Sequence, residues 1–206
     1  MIPYTKKTLP NGLTVVVNRD RVSKLAAVNI LYKVGARNEN PARTGFAHLF
    51  EHLMFRGTRE VPNFDLPVQM ASGDNNAFTN NDYTDFYITL PKDNLETALW
   101  LESDRMEGLD ITPAKLEAEK KVVIEEFRQR YLNQPYGDQT MLLRALAYKV
   151  HPYRWAAIGL TTEHIAGATL EDVEAFYRAH YRPSNAVLSI SADIDEERML
   201  ELAEKW

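Results

Sequence analysis

Apolar residues follow a strand-like spacing early in the chain and a helix-like spacing through most of the remainder. The run Leu25-Ala26-Ala27-Val28-Asn29-Ile30-Leu31-Tyr32-Lys33-Val34 is rich in apolar residues, and Tyr83-Thr84-Asp85-Phe86-Tyr87-Ile88-Thr89-Leu90 mixes β-branched and aromatic side chains before meeting Pro91. These patterns predict strands near 4–9, 13–18 and 25–34, and later ones near 77–80, 83–90 and 185–192. Helices are expected near 44–56, 62–72, 92–107, 113–132, 137–148, 170–180 and 195–206. Strands first, then mainly helices, then a returning strand imply a two-layer α+β domain occupying residues 1–206.

Within the helix expected at 44–56, His48-Leu49-Phe50-Glu51-His52 carries the most chemical information. Histidines four residues apart on a helix stack one turn above each other, close enough to grip one metal ion. Glu51 has the residue type that takes a proton from metal-activated water. The order His-x-x-Glu-His reverses the common zinc-protease motif and points to metal-assisted peptide hydrolysis. Thr44 is the expected N-cap, Phe46, Leu49, Phe50 and Leu53 supply the apolar face, and Arg56-Gly57 closes the helix.

Two histidines leave a zinc site short of protein ligands, and the helix opened by Thr112-Pro113 offers carboxylates. Glu119 and Glu126 are seven residues apart and share a face. Glu125 is rotated by about 100° from Glu126 and is expected to pair with Lys121 in solvent, so Glu126 is the expected third ligand. Glu119 lies about 10 Å along the axis from Glu126, too far to reach the same ion, and is expected to orient a ligand histidine. His151, His164 and His180 have no partner at helical spacing and read as capping or packing residues.

Together these motifs resemble those of the pitrilysin/insulysin family of inverzincin metallopeptidases, and most closely its mitochondrial processing peptidase branch. The resemblance runs through Leu9-Pro10-Asn11-Gly12-Leu13-Thr14-Val15, the segment Thr44 to Thr58, Asn76-Ala77-Phe78-Thr79 with Asp82 and Thr84, and Glu119 to Glu126. It continues through His151-Pro152-Tyr153, Ile158-Gly159, Phe176-Tyr177 and Tyr181-Arg182-Pro183-Ser184-Asn185-Ala186. It implies a mostly antiparallel sheet with helices on one face, one Zn2+ per domain, and a peptide substrate that pairs as a strand against Asn76, Ala77, Phe78 and Thr79. Asn76 is then expected to hold the scissile amide or the oxyanion, although Gly73-Asp74-Asn75-Asn76 also reads as a turn.

Family members resemble two such halves closed on each other, in one chain or in two. The helical pattern here runs to Leu202-Ala203-Glu204-Lys205-Trp206 without a stop signal, so this is expected to be the N-terminal, metal-binding half. A second homologous half would supply an Arg-Tyr pair for substrate binding.

The 45% hydrophobic and 26% charged content is that of an ordinary globular domain. A net charge of −5 gives no basic field for nucleic acid, and no run is long enough to span a membrane. The absence of cysteine leaves histidine and carboxylate as the metal ligands. No leader-like apolar stretch follows Met1, and the compartment stays open between bacterial periplasm and cytoplasm. Two other readings compete with a zinc endopeptidase. One is a non-catalytic substrate-binding or assembly half. The other is a zinc amidase acting on small substrates.

Overall fold

The computed structural model describes residues 2–206. Its strands are β1 (Thr5–Thr8), β2 (Thr14–Arg19), β3 (Leu25–Tyr32), β4 (Asp74–Thr79), β5 (Thr84–Pro91) and β6 (Ala186–Ala192). They form one sheet in the order β1-β2-β6-β3-β5-β4. The β2–β6 pair is parallel and every other pair is antiparallel. The fold is therefore α+β with a mostly antiparallel sheet, as expected.

Strand alternation decides which face is covered. Val15, Val17, Ala26, Val28, Ile30, Phe86, Ile88 and Leu90 are fully or almost fully buried on one side. The intervening Leu25, Asn29, Tyr87 and Ser189 remain exposed or half-buried. Among the described residues there are eight α-helices, several of which pack against the first set. The eight are α1 (Phe46–Leu53), α2 (Asp65–Met70), α3 (Leu95–Glu107), α4 (Pro113–Phe127), α5 (Gln139–Ala147), α6 (Thr162–Ala166), α7 (Leu170–His180) and α8 (Glu196–Lys205).

Helix α1 is fixed by its apolar stripe. Phe50 is fully buried, with ring centroids 5.3 Å from Phe176, 6.1 Å from Tyr177 and 5.1 Å from Tyr181. Stacking of this kind adds about 0.5–1.5 kcal/mol per aromatic pair beyond the area buried. With that stripe facing the sheet and α7, the polar positions of α1 turn towards α4 and the β4 edge. A second internal anchor is Arg105, which lies 4.4 Å from Phe64 and 4.3 Å from Phe86 and pairs with buried Glu102 at 2.8 Å.

Several expected boundaries shift, each for a physical reason. Thr44 does not cap α1. Gly45 takes that position with φ +92°, while the Thr44 hydroxyl accepts from the Leu160 N–H at 2.8 Å and meets His164 at 2.9 Å. The strand expected near 77–80 starts earlier, at Asp74, because Asp74 to Asn76 pair with Thr89 to Tyr87. The chain turns before it instead, at Ser72 with φ 56°. The helix expected over 113–132 is α-helical only to Phe127. Arg128–Leu132 widen to a π-turn closed by Asn133 N–H to Arg128 O at 2.8 Å. Helix α6, which carries His164, was absent from the sequence-based expectation.

Candidate metal centre

His48 and His52 project from the polar side of α1, their rings 4.8 Å apart. Glu126, one residue before the end of α4, reaches both: its Oε2 is 3.6 Å from His48 Nε2 and 3.4 Å from His52 Nε2. Ligands about 2.0–2.1 Å from a tetrahedral zinc stand about 3.3 Å from one another, and the separation of each imidazole from Glu126 is close to that value. Among the described residues, these three are the His, Cys, Asp or Glu group whose ligand atoms converge, all within 4.8 Å of one another.

Neighbouring carboxylates contact the imidazoles. Glu119, almost fully buried, lies 3.3 Å from His52 Nδ1 and also pairs with Arg56. It stands seven residues, about 10 Å along α4, before Glu126, and meets the opposite ring nitrogen of His52. Glu125 is turned away, with its side chain 53% exposed. Its ion-pair partner is Arg128 at 3.6 Å, in place of the expected Lys121. The second oxygen of Glu126 is held by Arg130 at 2.9 Å, a contact between α4 and the π-turn that sequence spacing alone would have suggested.

The electrostatics follow from this packing. Burial drives the His48 imidazole down to about 4, with His52 and Arg130 pushing the same way against the pull of Glu126. Burial also works against charge on His52. The Glu119 and Glu126 carboxylates outweigh it and raise this imidazole to about 9. In the metal-free protein His52 is therefore an imidazolium gripped from both ring nitrogens. Its Nδ1 faces Glu119 at 3.3 Å and its Nε2 faces Glu126 at 3.4 Å.

Glu51 lies beside the histidines with Oε2 buried and without a hydrogen-bond partner. Burial raises its pKa, opposed by a hydrogen bond from Thr79 and the charge of His52. Thr79 is the last residue of β4, and its hydroxyl also meets Thr84 Oγ1 at 3.4 Å.

β4 is an edge strand, and its side chains alternate. Ala77, opposite Phe86, and Thr79, opposite Thr84, face the helices, while Asn76 and Phe78 face the other way and are exposed. The Ala77 N–H donates to Asn76 Oδ1 at 2.8 Å, so an Asn side chain occupies a hydrogen-bonding position on the free edge. Asn76 is thus a strand residue and not part of a turn, and its amide is engaged with the backbone of the same strand. His151 accepts from Tyr153 N–H at 3.2 Å, His164 accepts from Thr44 N–H at 3.2 Å, and His180 packs 4.7 Å from Phe176. None of the three joins the cluster.

Two residues that the sequence did not flag complete the surroundings. Glu39 is buried beneath the start of α1, accepting from Gly45 N–H at 3.0 Å and Ala47 N–H at 2.9 Å. Trp155 Nε1 donates to Glu39 at 3.0 Å. Burial pushes Glu39 up to about 8 against the pull of these donors. The one available signal was a lone acidic residue just upstream of the metal motif.

Comparison with known proteins identifies a family. Residues 14–156 match the family model described as insulinase, peptidase family M16. Residues 167–206 match the model for the M16 inactive domain, although β6, which falls within that second match, lies inside the same sheet between β2 and β3. A Helicobacter pylori protein named zinc protease PqqE is 36% identical over 96% of this chain and 45% of its own length. A probable mitochondrial-processing peptidase β-subunit of Schizosaccharomyces pombe is 29% identical over 100% of this chain and 45% of that protein. The crystal structure of a protease from H. pylori superposes with a TM-score of 0.95 at 34% identity, covering 100% of this chain and 50% of that one. The chain spans about half the length of these relatives. On these matches, the chain belongs to the M16, or insulinase, family of peptidases.

Proposed function

We propose that this chain is the metal-bearing half of a zinc endopeptidase that cleaves extended peptides. The carrying observation is the convergence of His48 Nε2, His52 Nε2 and one Glu126 oxygen from two separate helices. Two imidazole nitrogens and one carboxylate oxygen form a donor set used by catalytic zinc, and their spacing fits that ion. The zinc-protease names of relatives support the same metal. When bound, the ion supplies Lewis acidity to the attacking water and to the scissile carbonyl.

The chain's own groups do the remaining work. Glu51, with a buried free oxygen, accepts the proton of the attacking water and returns it to the departing amine. A carboxylate raised by burial suits that exchange near neutral pH. Glu119 fixes the His52 ring from behind and favours presentation of its Nε2. The substrate adds as a strand to the β4 edge, displacing Asn76 Oδ1 from the Ala77 N–H and taking that donor for its own carbonyl. Ala77, Phe78 and Thr79 then lie along the substrate, and Thr79 ties that edge to Glu51. Asn76, once released, is free to hold a substrate amide.

A second homologous half, supplying the Arg-Tyr pair, closes the site. Among the described residues no helix is long and apolar enough to cross a membrane.

The test is zinc content together with cleavage of an unstructured peptide, measured for the chain alone and with the second half. One equivalent of zinc and peptide-length-dependent cleavage in the assembly are expected. Failure to bind zinc would refute the metal site. Full zinc loading without cleavage in the assembly would favour the substrate-binding or assembly role, and equal turnover of small amides would favour the amidase.

A further inference from the structure

The start of α1 is built in an unusual way. The N-cap is Gly45, whose φ of +92° leaves no side chain to satisfy the first-turn N–H groups. A Cβ there would meet Ile165 Cδ1 at 2.6 Å and Ile158 O at 2.7 Å, so a capping Ser, Thr or Asp has no room. The cap comes instead from Glu39. Its Oε2 accepts from Gly45 N–H at 3.0 Å and its Oε1 from Ala47 N–H at 2.9 Å. The three N–H donors and the positive end of the helix dipole favour the ionised form of this carboxyl group, against the burial that pushes it up to about 8.

Glu39 is itself held. Trp155, 2% exposed, donates its indole N–H to Glu39 Oε2 at 3.0 Å and to Ala36 O at 2.9 Å. The Trp155 carbonyl accepts from Asn81 Nδ2 at 3.1 Å, and Asn81 lies just beyond the end of β4. One buried joint therefore touches both the helix that carries His48, Glu51 and His52 and the loop that ends the free edge. Ala47, bonded to the carboxylate, is the residue immediately before His48.

Resting on the zinc-peptidase reading, we infer that Glu39, locked by Trp155, is a positioning residue that sets the height and rotation of α1, and with them the distance of both imidazoles from Glu126. The helix has only eight residues, so a small tilt at its first turn displaces His48 and His52 together relative to α4. Glu39 touches neither zinc nor substrate and acts through the backbone of Gly45 and Ala47.

The test compares Glu39→Gln, Trp155→Phe and a control, Val17→Ala, which empties part of the core under β2 far along the sheet from α1. Gln turns an NH2 group towards N–H donors, so at least one of the bonds becomes a donor–donor clash. Three quantities are read: thermal stability in chelator, zinc affinity by competition with a chromophoric chelator, and the visible spectrum of the cobalt-substituted chain. Glu39→Gln is expected to weaken zinc by about 10–100-fold, the range for partners that orient metal ligands, and to alter the cobalt bands. Trp155→Phe is expected to weaken it less and to shift the bands in the same sense. Val17→Ala is expected to lower stability while leaving affinity and spectrum unchanged.

Wild-type zinc affinity and an unaltered cobalt spectrum in Glu39→Gln would overturn the inference. If Glu39→Gln does not fold, wild-type affinity and spectrum in Trp155→Phe would do the same. A wild-type chain that takes up no zinc would sink the metal reading, and this inference with it.

Discussion

The proton on His52 makes the metal-free protein respond to pH in a direction opposite to that of metal binding. Glu119 and Glu126 raise this imidazole from 6.5 to about 9 in the folded chain, despite its burial. A raised histidine contributes stability in full below its unfolded pKa and loses it as pH climbs through the folded value. The window is therefore pH 6.5 to about 9. The interval corresponds to an upper limit of about 3 kcal/mol. For a chain of this size that amounts to a fall in Tm of about 6–12 °C across the window. Zinc must displace the same proton, so its affinity is expected to rise about tenfold per pH unit over the same range and to level off above it. The assay is a series of thermal melts in chelator between pH 6 and 9.5, on wild type and His52→Gln, paired with zinc competition titrations at each pH. Glu39, raised from 4.5 to about 8, adds a fall in stability of the same sign in both proteins, so the difference between them isolates His52. A wild-type slope equal to that of His52→Gln, or a zinc affinity flat between pH 7 and 9, would refute the placement of that proton between His52 and the two carboxylates.

Other expectations are narrower. Glu51→Gln should bind zinc like wild type yet lose peptide cleavage in the two-half assembly by at least about a hundredfold, as removal of a general base does; unchanged turnover would remove Glu51 from that role. Glu126→Gln should lose most of its zinc on dialysis while Glu125→Gln keeps it, and metal analysis giving the reverse result would reassign the ligand. Phe50→Ala, which empties the stack against Phe176, Tyr177 and Tyr181, should cost about 3–5 kcal/mol by denaturant melting, and a loss below 1 kcal/mol would contradict the packing. Ala77→Pro deletes the edge N–H that Asn76 covers, and it should raise KM for long peptides with little change in zinc content. Equal KM values would argue against strand addition at that edge.

The reach of the sequence differed from one element to the next. Helical arithmetic was enough to put His48 and His52 on one face of their helix and Glu119 and Glu126 on one face of another, while the pairing of the two helices rested on the need for a third ligand and on the family resemblance. The alternating strands were equally legible, since burial of one sheet face leaves a period of two. Tertiary partners were harder to read. Asp74-Asn75-Asn76 looks like a turn until β5 lies alongside it, and Thr44 looks like a cap until Leu160 and His164, more than a hundred residues away, claim its hydroxyl. Glu39 was missed for the same reason, because it sits just after a short 3-10 turn without periodicity and its meaning depends on Trp155. The widening of the chain after Phe127 left no mark in residues that all favour a helix.

The position of β6 has a consequence for how the molecule is made. β2 and β3 do not touch each other: residues 186–192 lie between them, pairing with Thr14–Arg19 on one side and Ala27–Tyr32 on the other. On the ribosome, the helix bearing the two histidines emerges long before the strand that joins the sheet beneath it. Until that strand arrives, the nascent polypeptide has two separate ribbons, β1–β2 and β3–β5–β4, and the ribbon under the histidines has one side open. Metal capture is therefore expected to follow the synthesis of β6, and release of a polypeptide truncated before Ala186 should yield a product that neither folds cooperatively nor retains zinc.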